Sequence, residues 1–302
     1  MNEILPNLFI IGAPKNGTTA LAYNLAEHKD IFIPNEKEPR YFDAHIYFDY
    51  EEDYPIKDLK EYLELYDCED SKKSKYKLDG SVFNMYSEES IRGILELSPK
   101  AKFIILLRDP VEACISMHKQ RLKYVKGGMR ELSLDFLECW NMIEKRKQNE
   151  CFPKKCRNKF LFRYDLLYSY EKYIPMLKRN IKEENLFIGF YSDYKNNPNL
   201  FYKKIFDFLQ IENYFIDNKH LNDSLIVKDS KNLTFLNYII NKTIPIRKYL
   251  GLSGNKYLSN IRKKIFKLYT VKLDNKNDDL SEVKEFFKDT YEYLDKLKIN
   301  NK

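Results

Sequence analysis

Gly12-Ala13-Pro14-Lys15-Asn16-Gly17-Thr18-Thr19 follows directly on the apolar run Leu8-Phe9-Ile10-Ile11. A short strand, a glycine-bounded loop and a helix opening on threonines make a cradle for phosphate. Backbone N–H groups from Lys15 to Thr19 converge at the helix N-terminus, and the hydroxyls of Thr18 and Thr19 add donors. Gly12 and Gly17 have the spacing of the nucleotide-hydrolase loop G-x-x-x-x-G-K-[ST]. Thr18, however, stands where that loop carries its lysine, and the cation is displaced to Lys15. A lysine there meets the ligand from the loop side, which suits an anion other than the β- and γ-phosphates of a nucleoside triphosphate.

Two more groupings can do chemistry. The apolar run Phe103–Leu107 ends at Arg108-Asp109-Pro110, with Ser116 eight residues beyond Arg108. In an open α/β sheet, ligands gather at the carboxyl ends of strands. An arginine there, with a serine from the next helix, is a second anion site; the alternative is that Arg108 pairs with an acid such as Asp109. The stretch Glu36-Lys37-Glu38-Pro39-Arg40-Tyr41-Phe42 places a carboxylate about 20 residues after the phosphate loop. A carboxylate there can act as a general base; the alternative is a solvated charged loop.

The elements that must position these residues read as alternating strands and helices. Leu8–Ile11, Ile31–Ile33, the end of a strand at Lys77–Ser81, Phe103–Leu107 and Leu186–Tyr191 are the strand candidates, short and apolar as buried parallel strands are. Helical character falls at Thr18–Glu27, Val111–Tyr124, Leu134–Arg146, Tyr170–Asn180 and Phe201–Leu209. Residues 43–76 read as surface helices and loops, and no element is assigned between Ser81 and Phe103. His220–Asp229 reads as a polar loop, and residues 235–272 show no period. Ser281 caps a last helix with Val283, Phe286, Phe287, Leu294 and Leu297 at helical spacing. The pattern predicts an α/β fold: a central, mostly parallel sheet flanked by helices, as one domain over residues 1–302.

Bulk properties narrow the function classes. A length of 302 residues supports a sizeable core, and 43% apolar against 32% charged residues marks a globular chain. The net charge of +7 suits an anionic ligand, but lysines interspersed with acids do not make a nucleic-acid arm. The five cysteines form no C-x-x-C pair and read as thiols of a reducing compartment. No apolar run reaches the roughly 20 residues of a membrane span, and no signal peptide is read, so the expected location is cytoplasmic.

Together, G-A-P-K-N-G-T-T-A-L, E-P-R-Y-F and L-L-R-D-P-x-x-x-C-x-S resemble the sulfotransferases that use 3′-phosphoadenosine 5′-phosphosulfate (PAPS). The similar branch is that of the heparan sulfate sulfotransferases and their bacterial relatives. It continues through Asp79-Gly80-Ser81, Tyr191–Asp193, Asn197-Pro198 and His220–Ser224 to the final helix, and so covers nearly the whole chain. The resemblance implies a P-loop-like fold and a PAPS donor leaving adenosine 3′,5′-bisphosphate, with no metal. Lys15, Asn16, Gly17, Thr18, Thr19 and Ala20 would hold the 5′-phosphosulfate, with Lys15 near the bridging oxygen. Arg108 and Ser116 would hold the 3′-phosphate, and Tyr191 and His220 would border the cofactor. Glu38 falls at the catalytic carboxylate, and Arg40, Ser81 and His118 are expected to face the acceptor, a carbohydrate or lipid-linked hydroxyl or amine. The chain departs from the better-known polysaccharide enzymes in carrying Gly80, not lysine, before Ser81. It also lacks their disulfide-bordered cofactor loop, for which Lys219–Lys228 is the substitute expected.

Other readings remain open on sequence. A nucleotide kinase or NTP-binding protein predicts lysine at position 18, where Thr18 stands. A sulfotransferase of small non-sugar molecules would use a histidine base, for which His118 and His45 are the candidates. A non-catalytic nucleotide-binding scaffold would have no need of Lys15 and Glu38 together.

Overall fold

Leu8–Gly12 (β1) is buried along its whole length, as a strand covered on both faces of a parallel sheet must be. The computed structural model describes residues 4–48, 54–124, 128–216, 226–227, 270–271 and 279–300. In these, β1 is joined by Ile31–Phe32 (β2), Tyr76–Asp79 (β3), Lys102–Leu107 (β4) and Leu186–Phe190 (β5) in a five-stranded sheet. The order is β2-β3-β1-β4-β5, and every neighbouring pair is parallel. After β1 the chain goes out to the edge strand β2, returns to β3 beside β1, then crosses to the other side at β4. The crevice beyond the carboxyl ends of β1 and β4 is therefore the topological switch point. Between Ile10 and Gly12 the pairing with β4 shifts register, so β1 leaves the sheet through an irregularity at the start of the loop.

The helices are Thr18–Leu25 (α1), Ala44–Tyr47 (α2), Leu59–Glu64 (α3), Glu69–Lys73 (α4), Glu88–Leu97 (α5), Pro110–Arg121 (α6), Phe136–Asn141 (α7), Ile143–Lys147 (α8), Tyr164–Leu167 (α9), Tyr170–Asn180 (α10), Tyr191–Asn196 (α11), Pro198–Leu209 (α12), Ser281–Phe286 (α13) and Lys288–Asn300 (α14). The chain packs as two compact units. Met1–Cys114, Arg163–Asn222 and Ser281–Lys302 form the first, and Ile115–Phe162 with Asp223–Leu280 the second. The first contains the whole parallel sheet. In the second, Ile226–Val227 (β6) pairs antiparallel with Thr270–Val271 (β7), and a fully buried Arg146–Glu131 pair is closed at 2.5 Å.

Several elements differ from the sequence reading. α5 fills the unassigned stretch; its Ser87 cap accepts from the Ser90 N–H, and Ile91 and Ile94 are buried. The expected helix at Leu134–Arg146 is two helices meeting at Met142, and the last helix is interrupted at Phe287, which turns inward while Phe286 stays 42% exposed. Residues 43–76 are not all surface. Tyr62 and Tyr66 are fully buried and gather Phe32, Tyr41 and Phe42 around them. Their hydroxyls donate to Asp79 Oδ2 (2.6 Å) and the Leu78 carbonyl (3.4 Å), which allows the rings to be buried without an orphaned donor.

Candidate active site

The loop after β1 is braced from below. Asn16 is fully buried, and its amide donates to the Leu106 carbonyl (2.8 Å) and to the Tyr170 hydroxyl (3.0 Å). The Tyr168 hydroxyl donates to the Pro14 carbonyl (3.2 Å), and the Ala13 N–H to the Leu106 carbonyl (3.0 Å). These bonds tie the loop to the end of β4 and to α10. Gly17 begins α1 at φ +93°, a left-handed conformation that suits glycine. A Cβ there would also come within 2.9 Å of the Tyr191 ring. No side chain caps α1. Its first ladder bond runs from the Leu21 N–H to the Gly17 carbonyl (3.0 Å), so the N–H groups of Thr18, Thr19 and Ala20 precede the ladder. Thr18 is buried and Thr19 exposed.

Arg108 stands beside this loop at the end of β4. Its Nη1 donates to the Lys15 carbonyl (3.4 Å), and its guanidinium lies over the Tyr191 ring at 4.6 Å. The acid it pairs with is Glu112, at 2.9 Å, not Asp109. Asp109 instead accepts from the Glu112 N–H at the start of α6 and from the Tyr291 hydroxyl of α14. Tyr191, expected at a strand end, is the first residue of α11. Its ring nevertheless joins Gly17 and Arg108.

The second cluster lies on the segment before α2. The Glu38 carboxylate is held by Lys37 Nζ on Oε1 (2.5 Å) and by Arg40 Nη2 on Oε2. Arg40 also reaches Asp43 Oδ2 (3.4 Å), stacks on Tyr47 at 3.6 Å, and donates its backbone N–H to Ser81 Oγ (3.0 Å). Burial acts to raise the Glu38 pKa, but Lys37, Arg40 and Lys15 outweigh it, and the carboxyl is held below its ordinary value. The charge of Lys15 thus reaches Glu38: the phosphate loop and the carboxylate share one field. Asp43 is the opposite case. Burial, reinforced by Asp79 and Glu38, pushes it up to about 7 against the pull of Arg40 and the Phe83 N–H.

Of the residues singled out by sequence, Lys15, Asn16, Gly17, Thr18, Thr19, Ala20, Arg108 and Tyr191 form the first cluster; Glu38, Arg40 and Ser81 form the second. Ser116 and His118 lie on the part of α6 that belongs to the second unit. Ser116 is half-buried there. His118 is fully buried, faces the Ser133 carbonyl through Nε2 (3.0 Å), and has its pKa lowered by burial. His220 lies outside the described residues. Sequence reasoning missed Lys37, whose ammonium also reaches the Gly80 carbonyl (3.3 Å). A Cβ on Gly80 would meet the Lys37 carbonyl at 3.0 Å and its Nζ at 3.4 Å. The available signal was Gly80 itself, where the resemblance led one to expect a lysine.

A parallel sheet with a phosphate loop at its switch point, facing an arginine from the next strand, defines an α/β protein of the P-loop-like class. Residues 5–295 match the sulfotransferase domain family, and the chain belongs to that family. Among curated proteins it is similar to the membrane-associated sulfotransferase kil1 of Dictyostelium discoideum, 30% identical over 122 residues. It is likewise similar to the mouse bifunctional heparan sulfate N-deacetylase/N-sulfotransferase 4, 30% identical over 117 residues. Those matches cover 40% and 39% of this chain but only 24% and 13% of the two relatives. Among solved structures, a sulfotransferase from Alicyclobacillus acidocaldarius shares the fold with a TM-score of 0.60 at 22% identity, over 81% of this chain and 95% of that one. No helix among the described residues is long and apolar enough to cross a membrane.

Proposed function

We propose that this chain, acting as one domain over residues 1–302, moves the sulfuryl group of PAPS to a hydroxyl or amine of an acceptor. A carbohydrate or glycolipid is the favoured acceptor class. The observation that carries the reading is the loop at the sheet's switch point, with uncapped N–H groups opening α1 and Arg108 beside it, together with a Glu38 carboxylate held by Lys37 and Arg40. The residues present suit the donor: uncapped N–H groups of Thr18, Thr19 and Ala20 for the 5′-phosphosulfate, Lys15 for its bridging oxygen, and Arg108 for the 3′-phosphate. Asn16 serves as the brace beneath them, and Tyr191 as the wall beside them. Glu38 is kept ionised by its cations and takes the proton of the acceptor as the acceptor attacks sulfur in line. The bond from sulfur to the bridging oxygen breaks. The electron pair left on the 5′-phosphate is stabilised by Lys15 and the loop N–H groups. Arg40 and Ser81, joined by a hydrogen bond, shape the acceptor side of the carboxylate.

Two measurements test this. Calorimetric titration should show saturable binding of adenosine 3′,5′-bisphosphate and none of magnesium-ATP; the reverse pattern would assign the loop to a kinase or NTP-binding protein. With labelled PAPS and a panel of glycans and glycolipids, Lys15→Ala and Glu38→Gln should each abolish transfer, and Glu38→Gln should keep bisphosphate affinity. An active Glu38→Gln enzyme would move the base elsewhere.

A further inference from the structure

The second unit contains a buried cation with no counter-ion among the described residues. Arg121, at the end of α6, is 4% exposed, and its Nε and Nη1 are buried with no hydrogen-bond partner among the described residues. The Tyr124 ring lies 5.0 Å from its guanidinium. A guanidinium keeps its charge in a protein, so Arg121 cannot escape burial by losing a proton. In the described part of this unit the one buried carboxylate is Glu131. Both its oxygens are engaged by Arg146, at 2.5 and 3.3 Å. The other described acids there, Asp135, Glu138, Glu144, Glu150 and Asp279, are exposed. Asp135 caps α7, Glu138 accepts from Ser133 and Glu144 pairs with Lys147.

A second orphaned group lies one turn earlier on the same helix face. His118 is fully buried and faces the Ser133 carbonyl through Nε2. A carbonyl only accepts, so Nε2 carries the hydrogen and Nδ1 is a bare acceptor. Nδ1 is buried and without a partner among the described residues. Two unpaired donors on a permanent cation and one unpaired acceptor thus follow one another along α6. An unpaired buried charge is strongly destabilising, and an unpaired neutral group costs roughly 1–3 kcal/mol.

We infer that Arg121 is the receptor for an oxyanion (a carboxylate, sulfate or phosphate group), with His118 Nδ1 accepting from a hydroxyl or N–H donor on the same ligand. The anion supplies the charge that the protein withholds. The receptor belongs to the second unit and does not depend on the phosphate loop.

Inorganic sulfate is the probe. Thermal unfolding of the full chain is followed while sodium sulfate replaces sodium chloride at constant ionic strength, for the wild type, Arg121→Met and Lys15→Ala. The wild type should show a rise of about 2–4 °C once sulfate reaches ten times its dissociation constant, growing with the logarithm of the concentration beyond it. Lys15→Ala loses whatever sulfate bound at the phosphate loop adds, and should keep the part of the rise that Arg121 supplies. Arg121→Met should lose it, and in chloride alone should unfold at a higher temperature than the wild type, because a buried unpaired charge is gone. Arg121→Lys keeps the charge without the planar spread of donors and should lose most of that part, which keeps the test decisive if the methionine variant does not fold. A rise in either Arg121 variant as large as that of the wild type, or no rise at all in Lys15→Ala, overturns the proposal. Failure of the sulfotransferase reading would be seen instead in the bisphosphate titration, which this measurement does not use.

Discussion

Glu38 is held below its ordinary pKa by its neighbours, and the charge that acts on it most is that of Lys37. The ammonium of Lys37 is 8% exposed and lies between the Glu38 carboxylate and the Gly80 carbonyl. Glycine at position 80 makes that possible, since its Cβ would press on the Lys37 backbone. The cation missing from the turn before Ser81 is thus supplied by the segment that carries the carboxylate. Lys37 is a positioning residue, and its signature is a pH profile. Lys37→Met should move the acid limb of kcat/KM upward by about one pH unit, because burial then acts on Glu38 with less opposition. Bisphosphate affinity should be unchanged. An acid limb that stays in place would reduce Lys37 to a packing role. Gly80→Ala should lower kcat about tenfold or more while leaving the protein folded, since a small displacement of residue 37 is passed directly to the carboxylate beside it.

At the scale of elements, the loop and α1 work because Gly17 lets them approach α11. Gly17→Ala meets two obstacles: a left-handed backbone and a ring at 2.9 Å. The expected loss of stability is roughly 1–3 kcal/mol by urea unfolding, together with a large fall in bisphosphate affinity. Tyr191→Leu added to it should recover part of the stability, the part due to the ring, and none due to φ. How legible an element was depended on whether its partners were local. β1 and β4 are apolar runs because both faces are covered, and β5, an edge strand whose first three residues are half-buried, is an apolar run too, so all three could be read directly. The phosphate loop was equally plain, since Gly12, Lys15, Gly17 and Thr18 are neighbours in sequence. β3 carries Lys77 and Asp79 inside the core, satisfied by the Ser74 carbonyl and by Tyr62 and Ser81; its polar residues hid all but its end. The braces under the loop, Tyr168 and Tyr170, bond to residues 154 positions away. The link from Lys37 to Gly80 spans 43. Spacing along the chain carries no trace of such contacts. The same holds for Tyr62 and Tyr66, which read as surface aromatics until Asp79 and Leu78 were seen to accept their hydroxyls.

For the molecule as a whole, the buried carboxylates set how stability depends on pH. Asp43 ionises near 3.8 when unfolded and at about 7 in the fold, where burial and the charges of Asp79 and Glu38 oppose its ionisation and Arg40 favours it. Between those values the unfolded chain has released a proton that the folded chain still holds, so unfolding gains with every unit of rising pH. Asp79 is raised by burial and acts in the same sense. Glu38 acts in the opposite sense: its folded pKa lies below 4.5, so its contribution is present above that value and is lost as the pH falls through the folded one. The balance gives a chain more stable near pH 5 than near pH 7.5, the reverse of what carboxylates held by salt bridges alone would give. Asp43→Asn isolates the cause, because the amide oxygen can still accept from the Phe83 N–H but does not titrate. Urea midpoints measured at pH 5 and 7.5 should fall with pH in the wild type, and the fall should be much smaller in Asp43→Asn, with the gain appearing at pH 7.5. An equal fall in both would place the titrating group elsewhere. Because Arg40 lies between Asp43 and Glu38, ionisation of Asp43 also draws that guanidinium from the carboxylate proposed as the base, so the same substitution should leave kcat/KM less dependent on pH between 6 and 8.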